Sequence, residues 1–178
     1  EPTPWHNDMP FWPVDGRQVC TLWLALDPVD ADSGAVEYVV GSHKWGERYH
    51  PPAFAGDDRY QTNYAPVPDV EAMRESLRFA QFEMAPGDCT VHHGLLVHGA
   101  PGNARSDRRR RAVVTRWAGD DATYYPRPNI QKMAWEPQIA PGAPVFVLQR
   151  RTWWRGVSHG TTRWPPTKPA RFCSICSL

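Results

Sequence analysis

The strongest constraint on how this chain folds is a short motif near its start that is answered far downstream. Pro4-Trp5-His6-Asn7-Asp8 opens the sequence, and Leu96-Val97-His98-Gly99 follows much later. Side chains on a β-strand alternate between faces, so His6 and Asp8 point to one side at neighbouring heights. A second histidine from a distant strand completes two imidazoles and one carboxylate. That ligand set covers one face of a metal, leaves the other open, and is diagnostic of non-haem Fe(II) oxygenase sites. Segments so far apart meet only if the sheet folds back on itself, as a double-sheet jelly roll does.

The remaining pattern is all-β. The apolar run 19–26 predicts a strand buried on both faces. Further strands are predicted at 35–40, 79–84, 89–93, 95–98 and 110–117, with turns at Asp15-Gly16, at Asp30 to Gly34 and at Pro86-Gly87-Asp88, and a loop at 99–103. One short helix is predicted to start at Asp69 as N-cap, with Glu71 in its first turn, and to end near Leu77. The long polar loop after Gly46 has the length of a lid or binding segment.

With 178 residues the chain has material for one domain. A net charge of +1 gives no general attraction to nucleic acid or an anionic membrane. No apolar run approaches the roughly 20 residues that span a bilayer, and no signal peptide is visible. The chain starts at Glu1 without a methionine and is expected to begin mid-gene. Four cysteines without a disulfide-framework spacing predict a reduced, cytoplasmic setting, and Cys173-x-x-Cys176, lacking a partner pair, reads as inert.

Several blocks in order carry a resemblance: Pro4 to Asp8, then Trp23-Leu24-Ala25-Leu26-Asp27, Ser33-Gly34-Ala35 and Gly41-Ser42-His43-Lys44. Pro86-Gly87-Asp88 follows, and then His98-Gly99-Ala100-Pro101-Gly102-Asn103 ahead of arginines. Over about residues 4–120 this succession resembles the phytanoyl-CoA dioxygenase family. The resemblance implies a double-stranded β-helix (a cupin-like jelly roll) that uses Fe(II), 2-oxoglutarate and O2. It implies that His6, Asp8 and His98 are the metal ligands and catalytic residues. It also implies a 2-oxoglutarate-binding arginine on the strand after the His98 loop, and a co-substrate pocket lined by Trp23. Against the family pattern, residues 1–148 are expected to form a partial oxygenase domain lacking its N-terminal region, and 149–178 an irregular tail of separate origin.

Two assignments have rivals within the sequence. His92 and His93 compete with His98, but Gly99-Ala100-Pro101 follows His98 directly and allows close backbone approach to a metal rim. His92 and His93 then become packing or supporting residues. Among the arginines, alternation puts Arg109 and Arg111 on one face and Arg110 on the other. Counting back from Ala112 favours Arg110; counting forward from His98 favours Arg109; Arg110 is the preferred 2-oxoglutarate anchor. Trp12 is expected to wall the substrate pocket, with Ser42, His43 and Lys44 in a turn near its mouth. The resulting expectation is hydroxylation of a small molecule at a C–H bond, with release of succinate and CO2. A divalent-metal hydrolase or isomerase on the same barrel, or an inactive truncated segment, are the alternatives.

Overall fold

The structure is a computed structural model, and it describes residues 1–52, 62–128, 130, 138–145 and 172–174, the last as backbone only. Among the described residues, ten strands follow in chain order: β1 (Thr3–His6), β2 (Val14–Asp15), β3 (Val19–Ala25), β4 (Glu37–Val39), β5 (Phe79–Gln81), β6 (Cys89–His93), β7 (His98–Ala100), β8 (Ala112–Ala118), β9 (Thr123–Tyr124) and β10 (Phe172–Ser174). One four-stranded sheet runs β1-β7-β4-β5, a second runs β10-β6-β3-β8, and β2 pairs with β9 in a small ribbon. Neighbours in the sheets are remote in sequence, as the folded-back jelly roll requires. The fold is the expected double-stranded β-helix.

Between the sheets, Tyr38 and Leu96 pack against Val36 and Phe82, beside a cluster of Trp23, Ala25, Val29, Ala35 and Met84. The hydroxyls of Tyr38 on β4 and Thr90 on β6 are hydrogen-bonded at 2.8 Å and tie one sheet to the other. Met9, Phe11, Trp12, Val19 and Ala122 fill one end of the molecule.

Several local expectations are corrected. Strand β3 alternates: Val19, Thr21, Trp23 and Ala25 are buried, and the intervening residues are half-buried. The outer face stays partly open, with Val113 and Trp117 of β8 exposed, so only one side of this strand is core. The expected helix at 69–77 is a single turn. Asp69 does cap it, its Oδ1 accepting the Ala72 N–H at 3.0 Å, but the chain then tightens into a 3-10 turn at Arg74–Ser76. Only Val70 of this segment is buried, and a short helix without an apolar face has no packing to sustain it.

The seventh strand lies at His98–Ala100 rather than 95–98, with Gly99 and Ala100 inside it. It is flanked on both sides, by β1 and by β4, so its backbone groups are paired there. A Cβ at Gly99 would come within 3.1 Å of the Thr3 carbonyl oxygen and of the Trp5 ring. The glycine therefore admits Trp5, not a metal rim. In the tail, where no strand was expected, Phe172–Ser174 pairs in parallel with Cys89 to Val91 and extends the second sheet past β6. The centre of the expected lid loop, most of 149–178 and the side chains of Cys173 and Cys176 lie outside the described residues.

Candidate metal centre

His6 ends β1, His98 begins β7, and the two are direct antiparallel partners. Cross-strand neighbours have Cβ atoms about 5 Å apart, and the two imidazole centroids here are 4.2 Å apart. Register alone thus delivers both rings. Asp8 arrives differently. Its backbone is helical (φ −78°, ψ −33°), because the chain leaves the strand after His6 and enters a 3-10 turn at Met9–Phe11. The Met9 N–H bonds the Gly94 carbonyl at 2.9 Å and pins that turn against the β6–β7 connection. The expectation that His6 and Asp8 share a strand face is therefore corrected: a turn, not alternation, swings the carboxylate in.

His6, Asp8 and His98 are all buried, and one donor atom from each lies within 4.8 Å of the others. Metal bonds of about 2.1 Å at right angles put neighbouring donors about 3 Å apart, so a small contraction closes the site. Each imidazole is oriented by a backbone carbonyl two residues upstream: His6 Nδ1 to Pro4 O at 2.8 Å and His98 Nδ1 to Leu96 O at 2.9 Å. Donation from Nδ1 leaves Nε2 as the basic nitrogen, the arrangement that supporting hydrogen bonds impose on metal-ligating histidines.

The electrostatics suit a cation. Burial pushes the His6 imidazole below its ordinary pKa despite the nearby Asp8 carboxylate. Burial, helped by His6 and His92, pushes His98 well below it. Burial works against ionising Asp8, but the approach of His92 and the fields of His98 and His6 outweigh it and hold the carboxyl below the usual carboxylate range. The result at neutral pH is one anion and two neutral imidazoles, the protonation state a divalent metal needs in its ligands. On donor chemistry, distances and protonation, these residues fit an Fe(II) ion.

Next to this centre runs a crevice lined by Trp23, Val36, Tyr38, Phe82, Met84 and Thr90. The Arg110 guanidinium lies over the Trp23 ring, 5.2 Å from its centroid. Its neighbours are spent otherwise: Arg111 pairs with Asp27 at 2.8 Å, Arg108 with Asp30 at 3.0 Å, and Arg109 is exposed. Arg110 is the one turned inward. It donates from Nε and Nη2 to the Gly34 carbonyl at 3.1 and 2.7 Å, and no carboxylate among the described residues pairs with it. Gly34 sets that contact. Its φ is +86°, and a Cβ there would stand 2.6 Å from the Gly102 carbonyl oxygen. Gly34→Ala is expected to destabilise the protein by about 1–3 kcal/mol, read as a fall in Tm, and to displace Arg110 along with its acceptor.

Three inward residues surround Asp8; sequence reasoning weighed His92 as a packing or supporting residue and missed Thr21 and Arg116. The Thr21 hydroxyl donates to Asp8 Oδ2 at 2.6 Å, Arg116 Nη2 lies 3.5 Å from Oδ1, and His92 Nε2 lies 3.4 Å from Oδ2. A signal existed for Thr21: it is a polar residue with the same parity as Trp23 in an otherwise apolar strand. Trp12 packs in the core with Met9 and Phe11, and Arg116 covers its ring at 4.7 Å.

With this geometry in view, comparison with known proteins decides the family. The phytanoyl-CoA dioxygenase (PhyH) family model matches residues 1–112. The chain belongs to that family. A relative from Caenorhabditis elegans, described as "Probable phytanoyl-CoA dioxygenase", is 29% identical over 126 residues, covering 68% of this chain and 38% of its own length. Among solved structures, the carbocyclase SnoK from nogalamycin biosynthesis, a non-haem α-ketoglutarate-dependent protein, is 28% identical with a TM-score of 0.59, over 81% of this chain and 53% of its own. The epimerase SnoN, in complex with Fe3+, α-ketoglutarate and nogalamycin RO, is 25% identical with a TM-score of 0.58, over 81% and 54%. The chain thus spans about half of these solved relatives and less of the curated one. No helix among the described residues is long and apolar enough to cross a membrane.

Proposed function

We propose that this protein is a non-haem Fe(II)- and 2-oxoglutarate-dependent dioxygenase that hydroxylates a small-molecule substrate at a C–H bond, releasing succinate and CO2. The observation that carries the reading is the convergence of buried donor atoms from His6, Asp8 and His98 within 4.8 Å. These residues hold the metal. Bound there together with 2-oxoglutarate and O2, iron supplies the oxidising chemistry. The protein's own residues bind, orient and exclude water. Arg110 takes the far carboxylate of 2-oxoglutarate in a forked, charge-assisted pair, exchanging its Gly34 acceptor for an anion. Trp23 forms a flat wall beneath that guanidinium.

The SnoN complex with Fe3+ and α-ketoglutarate supports this cofactor pair. A hydrolase or isomerase on the same barrel would leave the inward Arg110 without a carboxylate to hold. The test is succinate formation from 2-oxoglutarate in the presence of Fe(II) and O2, comparing wild type with Arg110→Met. The variant is expected to raise KM for 2-oxoglutarate by about 100-fold, as loss of a desolvated charge-assisted pair worth about 3 kcal/mol would, with Fe(II) affinity unchanged. An unchanged KM overturns the role of Arg110. Absence of 2-oxoglutarate turnover by the wild type overturns the dioxygenase reading.

A further inference from the structure

The three residues that surround Asp8 come from one line across the second sheet. Thr21 of β3 is the direct cross-strand partner of His92 on β6 and of Arg116 on β8. Direct partners in an antiparallel sheet share a face, and this face looks at Asp8. The two imidazole ligands belong to the first sheet, each at a fixed strand position. Asp8 sits on a turn outside both sheets.

The contacts are uneven on the two carboxylate oxygens. Oδ2 accepts the Thr21 hydroxyl at 2.6 Å and is approached by His92 Nε2 at 3.4 Å. Oδ1 faces His6 Nε2 at 3.8 Å, with Arg116 no closer than 3.5 Å. His92 is 1% exposed, and neither ring nitrogen has a hydrogen-bond partner within normal limits. A buried imidazole in that state costs free energy. Its Nε2 lies 3.4 Å from Asp8 Oδ2, close to the carboxylate but out of line for a hydrogen bond.

We infer that Thr21 and His92 form a clamp on the inner face of the second sheet that holds Asp8 by Oδ2 and presents Oδ1 to the metal, with Arg116 at the end of the row. The inference rests on the metal-centre reading above. Thr21 and His92 are positioning residues: they act through Asp8 and touch neither metal nor substrate. The hydroxyl-to-carboxylate bond is short and charge-assisted, which makes it the stronger arm. The His92 arm tightens when its Nε2–H tautomer points at Oδ2.

Cobalt(II) in place of iron tests this without turnover, since its visible absorption reports ligand geometry and its titration reports affinity. Thr21→Val keeps the side-chain shape and deletes the donor. It is expected to weaken Co(II) binding by about 10–100-fold and to alter the visible bands. Thr21→Ser, which restores the hydroxyl, is expected to stay within about threefold of wild type. His92→Phe is expected to lose about tenfold. Wild-type affinity and spectrum in Thr21→Val overturn the clamp. So does His92→Phe that abolishes binding as fully as His98→Ala, because His92 would then be a ligand. No Co(II) binding by the wild type, or equal binding by Asp8→Ala, is a separate failure, that of the metal centre itself.

Discussion

Asp8→Ala is expected to abolish succinate formation from 2-oxoglutarate under Fe(II) and O2, and to lower Fe(II) affinity by at least about a hundredfold. That figure is the upper end of what losing a supporting residue costs, and Asp8 is a donor itself. The reasoning is electrostatic. A divalent cation entering this buried site gives up most of its hydration, and two neutral imidazoles return none of the charge. Asp8 is the sole anion among the three donors, so its removal leaves a desolvated cation uncompensated. The effect is separable from unfolding. Removing the carboxylate strands the Thr21 hydroxyl and takes away the interactions that outweigh the cost of burying the charge, so the metal-free protein loses some stability but keeps its fold. A cooperative melt of Asp8→Ala at a lowered Tm, together with absent turnover well below that Tm, is the expected pairing. Asp8→Asn, which keeps the shape and an acceptor oxygen but loses the charge, is expected to retain weak metal binding. Turnover by Asp8→Ala equal to wild type would remove the ligand assignment.

Much of the frame was legible in the sequence because it rests on alternation. Counting back from Ala112 picks Arg110 as the inward arginine, and the structure gives the same parity, with Ala112 opposite the buried Ala25. The run at 89–93 is a strand with the expected bounds. The sequence also brings His6 together with His98, but cannot show that they are register partners, since pairing of remote strands is decided by the whole sheet. For Asp8 the alternation argument reaches the right neighbourhood through the wrong geometry, because Pro10 and the bond from Met9 to Gly94 bend the chain after His6. The Tyr38–Thr90 link joins two sheets, and the row of Thr21, His92 and Arg116 spans three strands remote in sequence, so no local pattern carries them. The turn at 69–77 shows the opposite limit: Asp69 caps a turn as expected, but the 3-10 element that follows starts after Met73 with Glu75, not Glu71, in its first turn, because a helix needs an apolar face to pack and this segment offers only Val70.

Acidification is expected to destabilise the metal-free protein below about pH 6.5, the ordinary histidine pKa. Burial lowers the pKa of His6 and of His98 in the folded chain, so as pH falls the unfolded chain takes up protons first. A state that binds more protons gains stability on acidification. The contribution of each histidine is therefore fully present above its unfolded pKa and is lost as pH falls toward its folded one. Each accounts for a slope of up to about 1.4 kcal/mol per pH unit in that window. Asp8 does not enter it: its folded pKa is depressed, so its contribution stays until pH drops below the normal carboxylate range. His43, also lowered by burial, adds a weaker share because it is more accessible. Melting curves from pH 7.5 to 5 are expected to show Tm falling with pH, and a His98→Gln variant, which cannot titrate, is expected to show a clearly shallower fall. Adding Fe(II) anaerobically is expected to push the loss to lower pH, because the metal holds both imidazoles deprotonated in the folded state alone. A Tm independent of pH over this range would mean that the two imidazoles are hydrated in the folded chain, and a hydrated pair is incompatible with the dry, preformed centre on which the oxygenase chemistry depends.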